Sequence, residues 1–470
     1  MTVSCSRMLG RLFAGFVCAS CVTFACSCTR TSSTPAASAS SVRRQRVGAL
    51  VPAGGLQQDK ISLEYAIYYL PKPTKDPLAE LDSLLKRRFT GIHRLKKKGR
   101  ETGPTVAARL EANPLVRYRP PDLKMLQYFG HGLTEAQGKA VQTTQAVLIA
   151  HFAYGKGHVW DGVRSATELI QVLAESTGGL IWDETSRELF SPVAWKEQRI
   201  ANWTETVPDI SKFTVIHAYQ DGSFVRAVTF GMVKFGLPDV VISDFPWSLS
   251  RNMAIIANLF SQALAEGAVI PKAGEFDLKI SEIKNAKVRD AQLKSFKPKA
   301  TGVALLTVLS GTWKEGDPEN RLVEIAFDRG AGPDPQAQQV QILSTAFGSE
   351  DSVTRLKTHS ESLEAASRQA RQALPRLRAD FNKGLAPGEV ILLKAPFAQP
   401  TGGTEWMWVE VTTWKGDKIT GVLSNEPDNV PSLHAGQVVE IAEAKVFDYI
   451  RHHADGTTDG NETGKILSQQ

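Results

Sequence analysis

The chain has 470 residues, 42% of them hydrophobic and 22% charged, which is more than one hydrophobic core usually organises, so two or three domains are expected. A formal charge of +6 is too mild for this length to indicate a nucleic-acid partner, and 37 Gly with 24 Pro imply many turns rather than disorder.

All five cysteines, Cys5, Cys18, Cys21, Cys26 and Cys28, stand at the N-terminus, and the rest of the chain has none. Arg7 and Arg11 precede an apolar run from Leu12 to Ala25, the pattern of a secretory signal peptide over residues 1–25. That run is shorter than the roughly 20 apolar residues of a membrane span. The segment CSCTRTSSTPAASASS opens a Ser/Thr/Ala/Pro tether over residues 26–60 that cannot bury enough apolar surface to fold. A signal peptide followed by cysteine and a polar tether resembles a bacterial lipoprotein, whose new N-terminal cysteine carries lipid. Cys26 is the lipidation candidate, although Thr23 stands where that pattern has an aliphatic residue. Ordinary cleavage near Ala25 is the alternative. The expected address is the bacterial cell envelope, in the periplasm and anchored to the membrane through the N-terminus. A body without cysteine must be held by packing rather than by disulfides.

Folding begins with SLEYAIYYL (Ser62 to Leu70), whose β-branched and aromatic residues predict a strand, and Pro77 to Arg88 then reads as a helix. Lys86, Arg87, Arg88, Arg94, Lys96, Lys97, Lys98 and Arg100 form a basic cluster. It reads as a solvated helix end and loop, with acidic headgroups or an acidic envelope polymer as its functional reading. QAVLIAHF suits a buried strand, and VWDGVRSATELIQVLAEST puts Val163, Ala166, Leu169, Ile170 and Leu173 on one helical face, stopped by Gly178 and Gly179. GLIWD, TVIHAY and SFVRAVTFGM read as strands, with a hairpin signal at Asp221-Gly222 and a helix near PVAWKEQRIANW. The interleaving predicts an α+β domain over residues 61–285.

Residues 286–350 are expected to hold a β-pair, ATGVALLTVLSGTW with RLVEIAF, and a helical region. Val353, Leu356, Leu363, Ala366, Ala370, Ala373 and Leu374 then recur at helical spacing, giving a linking helix over 351–376 that Pro375 interrupts. Over 377–468 the short stretches EVILLKAPF, EWMWVEV, KITGVLSN and GQVVEIAEAKVFDYI predict a small, strongly bent sheet or an SH3-like β-barrel. The fold class is therefore α+β and multi-domain.

The order of features in this last region is an acidic residue with Trp-x-Trp, G-x-x-x-N-x-P in GVLSNEP, Leu-x-x-Gly-x-x-Val in LHAGQVV, and FDYI. It resembles the bacterial domain of unknown function 2314, the YegJ-like domain, over about Leu377 to Leu467. Gln437 and Tyr449 depart from it, standing where an acidic residue and a Trp are usual. The resemblance implies no established activity.

No H-E-x-x-H, G-x-S-x-G or P-loop is present, so no cofactor or metal is implied. DGTTDGNETG begins like a calcium loop, but Ile466 stands where the bidentate Glu belongs. His452 and His453, with Asp448 and Asp455 nearby, read as a solvated pair rather than a metal site. A constellation of distant residues such as Asp161, Asp183, Glu184 and His217 stays open. In EWMWVEVT, alternation puts Met407, Val409 and Val411 in the core and Trp406 and Trp408 on the other face with Glu410 and Thr412. The expected cover of the tryptophans is the preceding helix or the neighbouring domain, and the alternative is an external ligand. In that case Trp406, Trp408, Asn425 and Glu426 are the ligand-binding candidates. Two functions follow: an envelope-anchored binding or scaffold protein whose partner is an unknown envelope protein or polymer, or an exported hydrolase using carboxylates of the middle domain.

Overall fold

The computed structural model describes residues 48–95, 103–221, 224–348, 361–386, 389–400, 402–425, 427–453 and 457–467. The signal peptide, Cys26, the basic residues from Lys96 to Arg100, and Glu426 lie outside them. The described residues form three sheets with helices packed between and around them, the α+β class that the sequence predicts. None of their helices is long and apolar enough to cross a membrane.

The first sheet contains β1 (Lys60–Tyr69), β2 (His93–Arg94), β3 (Thr105–Glu111), β4 (Gly130–His131), β5 (Val147–Gly155), β6 (Gly179–Asp183) and β7 (Glu188–Phe190), in the order β2-β3-β5-β1-β6-β7-β4. Alternation along β1 sends Ile61, Leu63, Tyr65, Ile67 and Tyr69 into the main core, while Ala66 and Tyr68 join a smaller cluster with Trp182 and Leu189. The main core is covered by helix Pro77–Arg87, capped by Asp76 accepting from the N–H groups of Leu78 and Ala79, and by helix Val159–Thr177. The predicted stripe of the second helix, from Val163 to Leu173, is fully buried. Gly178 ends it in the left-handed region at φ 80°, where a side chain is strained.

The second sheet contains β8 (Val215–Asp221), β9 (Phe224–Phe230), β10 (Asp239–Phe245), β11 (Glu275–Lys279), β12 (Val303–Ser310) and β13 (Leu322–Ala326), in the order β11-β12-β13-β10-β9-β8. The β8–β9 hairpin and the antiparallel β12–β13 pair form as expected. Because β13 also pairs in parallel with β10, the strands after residue 285 complete the sheet begun before it. One core runs through both sheets, from Val51 to Phe347, so the boundary drawn at 285 is not a structural one. The end of the expected tether is also folded. Val51 N–H donates to the Val308 carbonyl at 3.0 Å, Ser310 N–H donates to the Ala49 carbonyl at 2.8 Å, and Gly54 exchanges both backbone bonds with Ile270.

The third sheet, β14 (Val390–Ala398), β15 (Thr404–Lys415), β16 (Lys418–Leu423), β17 (Val438–Ala442), β18 (Asp448–His452) and β19 (Thr458–Gly460), is antiparallel in the order β17-β16-β15-β14-β18-β19. It does not close among the described residues, so of the two expected forms the structure has the sheet and not the barrel. A register shift between Val411 and Thr413 bends β15. Helix Glu361–Lys383 runs through Pro375 rather than stopping there. Proline forfeits one backbone bond, but Pro375 lies on the exposed side, where water can serve the freed carbonyl, while Leu374 and Leu377 on either side of it are buried.

Candidate functional site

Strand β15 is buried on one face as its alternation predicts. Met407, Val409 and Val411 sit in a core shared with Ala370, Leu374 and Leu377 of helix Glu361–Lys383. That helix therefore covers the face opposite the tryptophans, which corrects the expectation that it lies over Trp408. On the tryptophan face, Glu410 and Thr412 are buried, and Trp406 and Trp408 are half-buried.

The neighbouring region reaches this face at Glu410. Ser248 N–H donates to both carboxylate oxygens of Glu410, at 2.9 and 2.8 Å, just before helix Ser250–Ala265 begins. A carboxylate suits the unsatisfied N–H groups and partial positive charge of a helix start. Burial still outweighs these bonds and pushes Glu410 up to about 7. The folded chain thus keeps a proton between the ordinary 4.5 and about 7 that the unfolded chain has released, so this group's stabilising contribution is full at low pH and is lost as pH rises through about 7. Between about pH 5 and about pH 7.5, wild type is expected to lose unfolding free energy relative to Glu410→Gln in urea titrations, and parallel pH curves for the two proteins would contradict the assignment. Beside Glu410 a cavity of about 280 Å³ is lined by Tyr219, Phe224, Trp247, Phe381 and Leu385.

The tryptophans have neighbours of a different kind. Trp406 lies 4.4 Å from Phe447, centroid to centroid. Lys394 of β14 is the register partner of Trp408, and its ammonium stands 5.5 Å from the Trp408 ring centroid. Burial holds the Lys394 ammonium below the usual lysine range. Asn425, in the turn after β16, accepts from Trp408 N–H through Oδ1 at 2.7 Å. Trp406 and Trp408 share one face of the strand, and Asn425 is bonded to its backbone at Trp408. Lys394 was missed because EVILLKAPF reads as apolar, and the pairing that sets Lys394 beside Trp408 depends on register between strands.

The distant constellation does not assemble. Asp183 is sealed in a pair with Lys234 at 2.6 Å, and Asp161 is exposed in the first turn of its helix. Glu184 accepts from Trp182 Nε1 at 2.6 Å and from the Tyr118 hydroxyl at 3.2 Å. Burial pushes His217 down to about 4, and it stacks on Phe129 and packs at a tilt against Phe230. His453 lies between Glu389 and Asp459, at 3.1 and 3.0 Å, and His452 is exposed. Among the described residues no group of three or more His, Cys, Asp or Glu is placed to hold a metal ion.

No curated protein and no solved structure matches the chain. A family match, by contrast, begins just before helix Glu361–Lys383, in keeping with that helix's place in the core of the third sheet. Residues 360–470, which carry the tryptophan strand, the Asn425 turn and Lys394, match a family described as an uncharacterized protein conserved in bacteria (DUF2314).

Proposed function

We propose that the protein is exported, held at the bacterial cell envelope through its N-terminus, and acts there as a binding or scaffold protein that presents the Trp406–Trp408 face to an envelope polymer. The observation that carries this reading is the contrast along β15. Glu410 and Thr412 are buried, Glu410 against Ser248, and Met407 and Val409 lie in the core shared with the helix, whereas Trp406 and Trp408 keep partial access to solvent. Aromatic residues beside a few polar groups are common ligand anchors. The N-terminal pattern of Arg7, Arg11 and the apolar run supports the address.

The hydrolase reading finds less support. The middle region does hold two neighbouring carboxylates, Glu64 and Glu184, which share the Tyr118 hydroxyl at 2.6 and 3.2 Å. Both oxygens of Glu64 are engaged, one by Tyr118 and the other by His151, and Glu184 is exposed, which suits a clamp on the sheet better than acid/base work.

The test compares two substitutions on one strand in the full-length protein. Val409→Ala removes buried methyls and is expected to cost about 1 to 3 kcal/mol of unfolding free energy. Trp408→Ala is expected to leave the urea midpoint near wild type while abolishing retention on purified envelope polymer. Retention unchanged in Trp408→Ala, or a native protein recovered from the cytoplasm with an uncleaved N-terminus by intact mass, would overturn the reading.

A further inference from the structure

Building on the binding face above, we infer that it takes an acidic glycan, with Lys394 pairing a sugar carboxylate while Trp406 and Trp408 stack on the ring faces.

The argument starts from how this protein treats its buried cations. Lys234 has the Asp183 carboxylate, Arg199 has Glu188, and Arg226 has Asp317 through two bonds of 2.7 and 2.8 Å. A buried charge is costly unless it is paired. Lys394 is 7% exposed and, among the described residues, its ammonium makes no hydrogen bond. The carboxylate opposite it across β14 and β18, Asp448, makes its hydrogen bonds elsewhere: Oδ1 accepts from Tyr449 N–H at 2.8 Å, and Oδ2 accepts from the N–H and hydroxyl of Thr463 at 2.8 and 2.6 Å. Asp448 lends Lys394 a favourable field but no hydrogen bond. The Lys394 nitrogen keeps a small solvent contact beside the Trp408 ring.

The neighbours narrow the class of anion. Asn425 spends its Oδ1 on Trp408 N–H, which leaves its NH₂ arm as a neutral donor at the same strand. Trp406 and Trp408 lie about 7 Å apart along one strand face, two platforms suited to a ligand with repeating flat rings. One cation, one amide donor and two aromatic platforms match a sugar chain bearing carboxylates and hydroxyls. An acidic peptide binding by strand addition needs a free sheet edge, and β15 is paired on both sides, with β14 and β16. A polyphosphate calls for a cluster of cations rather than one.

The probe is oligogalacturonate, compared with its fully methyl-esterified form, titrated into the full-length protein with tryptophan fluorescence and calorimetry as readouts. Wild type is expected to prefer the acidic form by about tenfold at low salt, the worth of one charge-assisted hydrogen bond, and to lose most of that preference in high salt. Lys394→Met should bind the acidic and esterified forms alike with a urea midpoint no lower than that of wild type. Lys394→Arg should keep the preference, and Trp408→Ala should lose both forms. Equal binding of the acidic form by wild type and Lys394→Met overturns the role of Lys394. If both forms bind wild type alike and Trp408→Ala abolishes both, the binding face stands and its acidic selectivity falls. Binding of neither form, or tighter binding of polyglutamate than of oligogalacturonate, overturns the glycan class. Fluorescence and binding indifferent to Trp408→Ala for every polymer would remove the face itself.

Discussion

Replacement of Lys234 by Met is expected to destabilise the protein by about 3 to 5 kcal/mol, the usual cost of removing one member of a buried ion pair. Lys234 sits in the short turn of 3-10 helix Met232–Phe235, between Gly231 and Gly236, and its side chain is fully buried. Its ammonium donates to Asp183 Oδ2 at 2.6 Å and to the Phe213 carbonyl at 2.8 Å. The other oxygen of Asp183 accepts from Thr185 at 2.6 Å and from the N–H of Ser186. Methionine fills the space but leaves a carboxylate oxygen and a carbonyl without partners, and their desolvation is then uncompensated. Because the pair joins β6 of the first sheet to the segment leading into β10, the loss should appear in a single cooperative urea transition. The double variant Lys234→Met with Asp183→Asn should recover part of it, since the stranded charge is gone. A wild-type midpoint for Lys234→Met would show that the pair contributes nothing to the fold.

Trp195→Ala should cost a similar amount, about 3 to 5 kcal/mol, by opening a cavity in the main core. The indole is fully buried, edge-on to Tyr65 at 5.1 Å and to Phe190 at 5.2 Å, and Nε1 donates to the Thr167 carbonyl at 3.0 Å. It also forms part of the aromatic cage around the Arg199 guanidinium, with the Phe190 and Phe213 rings. Truncation therefore removes packing and loosens the surroundings of the buried Arg199–Glu188 pair in one step. Trp195→Phe keeps most of the volume and should cost less than half as much. Equal thermal and urea midpoints for Trp195→Ala and wild type would contradict this account.

The parts legible in the sequence are those set by local periodicity. Alternation along SLEYAIYYL and EWMWVEV, and the helical stripe from Val163 to Leu173, gave the buried faces because those periods are fixed by backbone geometry. What the sequence hid depends on partners far along the chain. Glu410 meets Ser248 and Lys234 meets Asp183 only through tertiary folding, so a lone Lys in TFGMVKFG carries no mark of its pair. Pro375 misled because the cost of a proline in a helix depends on which side faces water, and that side is set by the sheet beneath. The boundary at 285 failed for a related reason. The parallel β10–β13 pairing spans two intervening helices and the β11–β12 pair, and no local signal announces it.

The backbone clip at residues 49 to 54 has a mechanical consequence. Its bonds run to Val308, Ser310 and Ile270, so a pull delivered through the N-terminus loads the second sheet before it reaches β1. Five backbone hydrogen bonds hold this clip: Val51 to Val308, Ser310 to Ala49, Gly274 to Val51, and the Gly54–Ile270 pair in both directions. The third sheet, formed from residue 390 onward, takes part in none of these clip bonds.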